Sequence, residues 1–400
     1  MSQRSAADIG FALALSLHQP PGNLEHLLDE QPQEAREILW AIDRIPRSMW
    51  PFENLARVHL SLSGTLLETL ASPDFQHRVY GIVDCGSLLQ HLQNARIIEL
   101  LGTGYYHPVL PLIRPSDREE HLDRWQTIAG HLFARDHFRG FWPPELGFSM
   151  EMIPTLCRHR YSYVIVDSEH VSAITPMGWE ELRYRPHLAR FAGEQIVVIV
   201  RDRELSSAQE SGMDADWFIS EVNARTQNCD FPPLVTTATS GENSDWFRDT
   251  RPGRNLWTGF YAELMKRVRD GCAGGIRPTF ISDYLERHGA HGWVTVGPGA
   301  WNTVWHHGTG FVQWTGSLAQ QQALTRAAEL SEAVDAARRN AIAIGAGNPD
   351  LYRQLEDALA LVLRAETSCN FFWGEAWVPR CHEDLDAATR HLQQAEKLFS

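Results

Sequence analysis

The chain has 400 residues, of which 43% are hydrophobic and 22% charged; these proportions exclude a disordered, collagen-like or low-complexity protein. Its 36 Lys and Arg against 50 Asp and Glu leave a net charge of −14. That charge argues against nucleic acid or an anionic membrane surface as a partner, because phosphate groups are bound by clustered Lys and Arg. The six cysteines are scattered without a CxxC pair, so we expect reduced thiols and neither a disulfide framework nor a zinc ribbon.

The first apolar run, Phe11–Leu17, resembles a signal peptide only superficially. It is short, Asp8 lies beside it, and no small-residue cleavage site follows before His18. We therefore interpret it as a buried strand. No stretch of the sequence approaches the length that spans a bilayer, and we expect a cytoplasmic protein.

Further short apolar runs of this kind recur along the first 240 residues. The runs that we interpret as strands are Phe11–Leu17, Arg57–Leu62, Gly140–Trp142, Tyr163–Val166, Ile196–Val200 and Leu234–Thr239. The amphipathic segments between them, which we interpret as helices, are Glu34–Ile42, Gly86–Leu101, Arg118–Phe138 and Asp214–Thr226. Alternating strands and helices indicate an α/β fold with a parallel sheet. Roughly seven strands over about 300 residues favour a closed or nearly closed (β/α) barrel over a short open sheet.

The character of the sequence changes near residue 315. Ser317–Ile344 is rich in alanine and helical in pattern, and Leu351–Glu366 and Glu383–Leu398 predict two more helices. The intervening Gly345–Pro349 is typical of a helix stop and restart. We therefore predict a barrel domain over residues 1–314 and a helical domain over residues 315–400 that packs on it.

Several common cofactor and nucleophile motifs are absent. Gly102–His107 begins a dinucleotide-binding GxGxxG pattern and then fails it, and no Walker loop, GxSxG elbow or HExxH is present. We therefore expect no organic cofactor and no metal.

Polar and aromatic residues follow the predicted strands. In a parallel barrel the functional side chains lie where strands end, so these residues are expected to meet in one cleft. They include His18-Gln19, Tyr105-Tyr106-His107, Glu145, Asp167, Arg201–Glu204 and Ser240–Glu242. A cleft with carboxyl groups, aromatic rings and hydrogen-bonding groups suits a carbohydrate-active enzyme. Taken singly, each has a structural interpretation: Glu145 could complement a helix dipole, and Arg203 could form an ion pair.

Five segments in order carry a resemblance to a known family. They are HQP at 18–20, GTGYYHP at 102–108, GFWPPE at 140–145, TTATSGEN at 236–243 and AETSCNFFWG at 365–374. On these segments the chain resembles glycoside hydrolase family 57, the α-glucan-acting family of α-amylases, 4-α-glucanotransferases and branching enzymes. The resemblance implies an incomplete (β/α)7 barrel followed by a C-terminal helical bundle, and an oligosaccharide or polysaccharide of α-linked glucose as the substrate.

The resemblance also implies a retaining reaction with Glu145 as the nucleophile. Two carboxyl groups about 5 Å apart serve such a reaction, one as nucleophile and one as general acid and base. Family members usually have Asp-Gly-Glu where this chain has Ser240-Gly241-Glu242, with the Asp as acid/base. A serine hydroxyl lacks the matched acidity that general acid catalysis needs.

Three interpretations of Ser240 remain open. Glu242 or Asp245 has taken over the acid/base role, or the protein uses an activated substrate whose leaving group needs no proton. Alternatively, it is a non-catalytic relative that binds glucan or regulates glucan metabolism. A structural or interaction protein would instead have Glu145 salt-bridged and inaccessible.

The remaining candidates are expected to bind substrate. His18 and His107 would contact the sugar or shape its pocket. The rings of Tyr105, Trp142 and Trp246 would stack on sugars or pack in the core. Arg203 would orient a carboxylate or form an ion pair, and Gln19, Ser240 and Trp373 complete the predicted substrate-binding set.

Overall fold

The computed structural model describes residues 8–94, 96–242, 253–304 and 308–399. Its strands are β1 (Ile9–Leu17), β2 (Val58–Leu62), β3 (Ile98–Gly102), β4 (Gly140–Phe141), β5 (Tyr163–Asp167), β6 (Val171–Ala173), β7 (His187–Phe191), β8 (Glu194–Arg201), β9 (Leu234–Ser240), β10 (Ile276–Pro278) and β11 (Val294–Val296).

The helices that precede β9 lie mostly between consecutive strands of the sheet. They are α1 (Asn23–Glu30), α2 (Pro32–Met49), α3 (Gly64–Ala71), α4 (Pro73–Val79), α5 (Cys85–Leu92), α6 (Pro115–Phe133), α7 (Ile153–Arg158), α8 (Trp179–Tyr184), α9 (Arg203–Ser211) and α10 (Ala215–Thr226). The later helices are α11 (Ala262–Arg269), α12 (Ile281–His288), α13 (Val312–Thr315), α14 (Leu318–Ala343), α15 (Pro349–Ala365), α16 (Cys369–Phe372) and α17 (Val378–Leu398). Single 3₁₀ or π turns occupy Trp50–Phe52, Leu110–Leu112, Pro144–Leu146, Met150–Met152, Ser168–His170 and Leu256–Tyr261.

Seven parallel strands form the barrel, in the order β1-β2-β3-β4-β5-β8-β9 and back to β1. The seam between β8 and β9 is narrow, since the pairing joins only Arg201 and Thr236. β7 runs antiparallel to β8 outside the ring, and β10 pairs with the first residues of β1. The predicted (β/α)7 barrel with C-terminal helices is thus confirmed.

Strand β1 is buried on both faces, as a barrel strand covered by helices must be. Its Leu13 and Leu15 belong to the outer core beneath the helices. Ala12 and Ala14 alternate with them and pack inside the barrel with Ile165 of β5. Small residues at these inward positions suit the narrow interior of a small barrel.

The same alternation fixes the direction of each side chain on β9. Leu234 and Ala238 belong to the inner core, whereas Thr237 and Thr239 bond outward to Gln209 of α9. Because successive strand residues point to opposite faces, Ser240 points into the barrel at its carboxyl end.

One predicted element is wrong in part. The helix expected over Gly86–Leu101 ends at Leu92, and Ile98–Gly102 is strand β3. Its run of buried apolar residues is compatible with either structure from periodicity alone. The parallel pairing of Val58 with Ile98 makes it a barrel strand.

The three long C-terminal helices α14, α15 and α17 pack around a core of their own. Ser317 begins α14 with a capping box, since its side chain accepts from the Gln320 N–H and the Gln320 side chain accepts from the Ser317 N–H. The domain division at residue 315 stays a prediction. In the part of the chain that the structure describes, no helix is long and apolar enough to cross a membrane.

Candidate active site

Glu145 lies in the turn that follows β4, and the backbone geometry of this turn is unusual. Its φ is 59° and that of Leu146 is 49°, so two successive residues with side chains adopt the left-handed region. Such conformations cost energy and persist where the surrounding structure enforces them, which is frequent at functional sites. The Glu145 carbonyl accepts a hydrogen bond from the Trp301 N–H at 3.0 Å, which holds the turn against the loop before α13.

Gly140 allows β4 to approach its neighbour closely. A Cβ at this position would lie 2.2 Å from Cζ of Tyr163 on β5. The glycine that opens the third family segment is therefore required by the packing of the barrel interior, and it brings the turn with Glu145 to the barrel rim.

The carboxylate of Glu145 is held by two donors from distant parts of the chain. Oε1 accepts from the Ser368 hydroxyl at 2.7 Å, and Oε2 accepts from the Trp301 indole N–H at 2.9 Å. Glu145 is 6% exposed, and no Lys or Arg of the described residues forms an ion pair with it. Burial raises its pKa to about 7, although both hydrogen bonds act in the opposite direction.

His107 lies beside this carboxylate. Its Nδ1 is 3.1 Å from the Ser368 Oγ and 3.8 Å from the Glu145 Oε1. Because the Ser368 hydroxyl donates its hydrogen to Glu145, Nδ1 of His107 must donate to Ser368. Burial lowers the pKa of His107 to about 3, so the ring is neutral.

His18 stacks on His107, with ring centroids 4.1 Å apart and planes 6° from parallel. Burial, together with the nearby His107, lowers the pKa of His18 well below its usual value. Its Nε2 lies 3.5 Å from the Cys369 Sγ, and its Nδ1 has no partner among the described residues. The stacked pair therefore offers neutral hydrogen-bonding nitrogens beside Glu145.

Glu242 lies on the other side of His18. Its Oε1 accepts from the His18 backbone N–H at 2.8 Å and its Oε2 from the Gln19 amide at 3.0 Å. Asn23 donates to the Gln19 Oε1 at 2.7 Å, which fixes the orientation of that amide. Burial raises the pKa of Glu242 to about 8.

The thiol of Cys369 lies near the carboxyl groups of both Glu145 and Glu242. Burial raises the pKa of its thiol to about 12, and the carboxylates of Glu145 and Glu242 act in the same direction. Both carboxyl groups therefore lie near one thiol, at the same mouth of the barrel. The spacing of about 5 Å that retaining chemistry needs stays a prediction.

Ser240 faces the same space from the end of β9. It pairs with Ser16 across the β1–β9 ladder, and the Gly241 N–H donates to the Ser16 carbonyl at 2.8 Å. The Ser240 position thus presents a neutral hydroxyl at the barrel rim, and Glu242 is the next carboxyl group along the chain. Asp245 and Trp246 lie outside the described residues.

Arg203 forms a structural ion pair. Its Nε donates to Asp167 at 2.8 Å, and its guanidinium also donates to the carbonyls of Thr303 at 2.7 Å and Ala300. These two carbonyls flank Trp301, so Arg203 orients the loop that binds Glu145. Of the two alternatives for Arg203, the structure has the ion pair.

The predicted stacking rings differ in accessibility. Trp142 is fully buried and packs edge-on against Trp301 at 6.2 Å. Tyr105 is also buried, and its hydroxyl donates to Glu68 of α3 at 2.7 Å, so both rings pack in the core. Trp373, from the predicted substrate-binding set, is 62% exposed, and Trp246 lies outside the described residues.

Two residues that bind Glu145 were not identified from the sequence. Ser368 lies within the quoted 365–374 segment, which was a usable signal, although its hydroxyl was not singled out. Trp301 is 156 residues from Glu145, and no spacing or motif connects them.

Two buried carboxyl groups with raised pKa, set among histidines and indoles at the mouth of a parallel barrel, define the class of carboxylate sites that process glycosidic bonds. Within that class, the chain belongs to glycosyl hydrolase family 57, whose model matches residues 26–297. The resemblance drawn from the five segments is thereby confirmed.

Curated relatives include an α-amylase from Pyrococcus horikoshii, 29% identical over 203 residues. That match covers 49% of this chain and 28% of the relative. A 4-α-glucanotransferase from Thermococcus kodakarensis is 25% identical over 198 residues, which cover 49% of this chain and 27% of the relative. The matched part thus spans little more than a quarter of these longer proteins.

Solved structures show the same fold. A family 57 branching enzyme from Pyrococcus horikoshii matches 98% of this chain and 88% of its own, with a TM-score of 0.72 and 13% identity. The α-amylase AmyC from Thermotoga maritima matches 98% of this chain and 93% of its own, with a TM-score of 0.70 and 14% identity. At these identities the likeness concerns the fold.

Proposed function

We propose that the protein is a retaining enzyme that hydrolyses or transfers α-linked glucans, with Glu145 as nucleophile and Glu242 in the acid/base role. The observation that carries this proposal is the setting of Glu145, which is buried at the barrel mouth and held by Ser368 and Trp301 without a Lys or Arg partner among the described residues. A merely structural carboxylate at this depth would be expected to have a cation beside it.

In the first step, a Glu145 carboxylate oxygen forms a bond to the anomeric carbon as the bond from that carbon to the glycosidic oxygen breaks. The proton of Glu242 passes to the departing oxygen, which leaves an ester on Glu145 and a carboxylate on Glu242. In the second step, Glu242 takes a proton from water or a sugar hydroxyl. The resulting oxygen attacks the anomeric carbon and frees Glu145.

The two carboxyl groups have pKa values in the order that this mechanism needs. At neutral pH, Glu242 with its pKa of about 8 mostly keeps its proton, whereas Glu145 with a pKa of about 7 ionises first. A carboxyl group that keeps its proton near the working pH can act as a general acid.

The neighbouring groups have supporting roles in this mechanism. The Ser368 hydroxyl and the Trp301 indole orient the two Glu145 oxygens and stabilise the ionised nucleophile. The neutral His18 and His107 would donate to or accept from sugar hydroxyls, and the exposed Trp373 would stack on a sugar ring.

A non-catalytic glucan-binding protein is the second candidate, and a specific observation favours it. Both oxygens of Glu242 accept hydrogen bonds, from the His18 N–H and the Gln19 amide, an arrangement that favours an ionised carboxylate over a proton donor. With Ser240 unable to protonate a leaving group, the site would then bind glucan without cleaving it.

Product analysis with a maltooligosaccharide tests the two candidates. The purified protein, Glu145→Gln, Glu242→Gln and Ser240→Asp are compared, with Glu332→Gln on the exposed face of α14 as the matched control. We expect products from the parent protein and the control, and a loss of at least about 10³-fold in Glu145→Gln.

Turnover by Ser240→Asp alone, with a silent parent, would support the non-catalytic alternative and overturn the role of Glu242. Products of equal amount from the parent and Glu145→Gln would overturn the nucleophile assignment. Glucan binding by the parent without products from any variant would favour the binding protein.

Location and domain organisation are part of the same proposal. All six cysteines are unpaired, which supports the cytoplasm as the compartment. We also retain the division into a barrel over residues 1–314 and a helical domain over residues 315–400, because α14, α15 and α17 have a core separate from that of the barrel.

A further inference from the structure

Outside the carboxylate site, buried polar groups join helix α6 to the C-terminal helices. This cluster consists of Asp117 and His121 on α6, Ser331 on α14, and Glu366 at the end of α15. Asp117, His121 and Ser331 have no exposed surface, and Glu366 is 2% exposed. Polar groups at this depth are normally bonded to one another, so their partners show what they hold in place.

From this cluster we infer that Glu366 and His121 are positioning residues for Glu145, because they tie together the loop that carries His107 and the loop that carries Ser368. The inference rests on the proposed function, since it concerns the nucleophile of that reaction. It adds a role for α6 and α15, whose buried polar groups would hold the nucleophile in place.

His121 fixes the first of these loops. Its Nδ1 accepts from the Tyr106 backbone N–H at 3.3 Å, and its carbonyl accepts from the Tyr105 backbone N–H at 3.3 Å. Tyr105 and Tyr106 are the two residues before His107. Since Nδ1 accepts, the ring hydrogen is on Nε2, and burial keeps the ring neutral by lowering its pKa to about 3.

Glu366 fixes the second loop. The His121 Nε2–H donates to the Glu366 Oε2 at 3.2 Å. Ser368 follows two residues later, and its backbone N–H donates to the His107 carbonyl at 3.0 Å. A β-bridge between Pro108 and Thr367 joins the same two loops. The His121–Glu366 bond therefore adds a side-chain link between the two loops that carry His107 and Ser368.

Asp117 determines the protonation of the cluster. Its Oδ1 accepts from the Ser331 hydroxyl at 2.6 Å, but its Oδ2 is buried without a donor from any other described group. The carboxyl group of Glu366 is a neighbour of Asp117, which helps to raise the pKa of Glu366. A proton on Glu366 supplies the missing donor, and one shared proton is what two adjoining buried carboxyl groups hold.

Charge and burial support the same assignment. Burial, followed by the neighbouring Asp117, raises the pKa of Glu366 well above its usual value. Arg114 lies 3.9 Å from the Asp117 carboxylate and 3.2 Å from that of Asp335, so its positive charge is shared between the two. Glu366 thus accepts from His121 with one oxygen and donates to Asp117 with the other.

These roles of Glu366 predict which substitutions preserve its bonds to His121 and Asp117. Glutamine at position 366 can accept from His121 through its oxygen and donate to Asp117 through its nitrogen. Leucine fills similar space and makes neither bond. In Glu366→Leu the link through His121 is lost while the β-bridge and the Ser368–His107 backbone bond remain, so the loops shift relative to each other and the Ser368 hydroxyl no longer keeps its place against Glu145.

The test compares Glu366→Gln and Glu366→Leu with the parent by kinetics and by titration of Glu145. Displacements of about 1 Å at a reacting group can cost about 10²-fold in rate. We therefore expect a fall in kcat of that order in Glu366→Leu with KM within about threefold, and near-parent kinetics in Glu366→Gln. The titration uses the ¹³C carboxyl resonance of Glu145, assigned by its loss in Glu145→Gln, and needs no turnover.

In the titration, loss of the Ser368 hydrogen bond removes a group that stabilises the carboxylate, so the Glu145 midpoint moves upward in Glu366→Leu, by about one pH unit. Ser368→Ala calibrates that shift, and Glu366→Gln is expected to show none. Ser331→Ala is the control for a merely structural role, since the Ser331 hydroxyl bonds to Asp117 and Arg114 and to neither loop. It is expected to lower the melting temperature without moving the Glu145 titration.

The outcomes separate this inference from the proposed function. A silent parent whose Glu145 titration shifts in Glu366→Leu would refute the enzyme and support the positioning role. An active parent whose Glu366→Leu variant loses only melting temperature, with kcat and the Glu145 titration unchanged, would overturn the positioning role. If Glu366→Leu does not fold, Glu366→Asp, which shortens the reach by one methylene, takes its place with the same expectations.

Discussion

The two sides of the cleft are built in different ways. On the β4 side, Glu145 occupies a left-handed turn and is bound by Trp301 and Ser368, which are 156 and 223 residues away. On the β9 side, Glu242 is held by the His18 backbone and the Gln19 amide, which follow the neighbouring strand β1. The Glu145 side thus depends on three distant segments of the chain, and the Glu242 side on two adjacent strand ends.

The resemblance to the family implies an intact segment at Glu145 and an Asp in place of Ser240, and this difference between the two sides would account for both. A change at Glu145 would disturb contacts from the barrel, the loop before α13 and the C-terminal helices together. A change at Ser240 affects an inward position at the end of one strand, where a small hydroxyl lies beside Ser16. A substitution at Ser240 should therefore disturb fewer contacts than a substitution at Glu145.

The largest expected effect is on the rate of cleavage, measured with two substrates whose leaving groups differ in their need for a proton. Glu145→Gln should lose about 10³-fold or more on both a maltooligosaccharide and α-maltosyl fluoride, because each substrate needs the nucleophile. Glu242→Gln should lose about 10²- to 10⁴-fold in kcat/KM on the oligosaccharide only, since kcat/KM reports the first step and fluoride departs without a proton. Rates come from reducing-sugar and fluoride release. Equal losses of Glu242→Gln on both substrates would contradict an acid role for Glu242.

On the Glu145 side, the sequence predicts only the features that have a local sequence signal. The apolar run of β1 and the segment ending at Glu145 are local signals, and both predict the structure correctly. Strand β3 directly continues an amphipathic stretch, so the sequence predicts helix there, and only the pairing with β2 distinguishes strand from helix.

The partners of Glu145 are a different case. Both reach it through tertiary contacts: Ser368 lies in a recognisable segment that does not show what its hydroxyl binds, and no sequence signal points to Trp301. The same holds for the bond between His121 and Glu366, 245 residues apart. Buried polar networks that join separate segments are specified by packing, and they become visible only when the segments are placed in space.

A second prediction concerns stability and the charge of Glu145. A carboxyl group whose folded pKa is raised from 4.5 to about 7 contributes stability that is fully present below the unfolded value and is lost as pH rises through about 7. At about 1.4 kcal/mol per pKa unit, this corresponds to about 3 kcal/mol. Glu145→Gln carries no such charge, so its unfolding free energy relative to the parent should rise by about that amount between pH 4.5 and 8.

Urea unfolding at both pH values measures this difference, with Glu332→Gln as a control that should follow the parent at each pH. A constant difference between Glu145→Gln and the parent across this range would show that Glu145 does not carry a buried charge. Glu242 contributes to the pH dependence of both proteins equally, so its effect cancels in the comparison.

The smallest expected effect is the pH dependence of the rate, which depends on the protonation of both Glu145 and Glu242. Catalysis needs Glu145 ionised and Glu242 protonated, so kcat/KM should fall about tenfold per pH unit below about 7 and above about 8. The optimum would then be narrow and lie between these values. With α-maltosyl fluoride, where no proton is needed, the alkaline limb should disappear and the acid limb should remain. An alkaline limb of equal steepness on both substrates would mean that it reports a group other than the acid, and the role of Glu242 would pass to a residue that is not yet assigned.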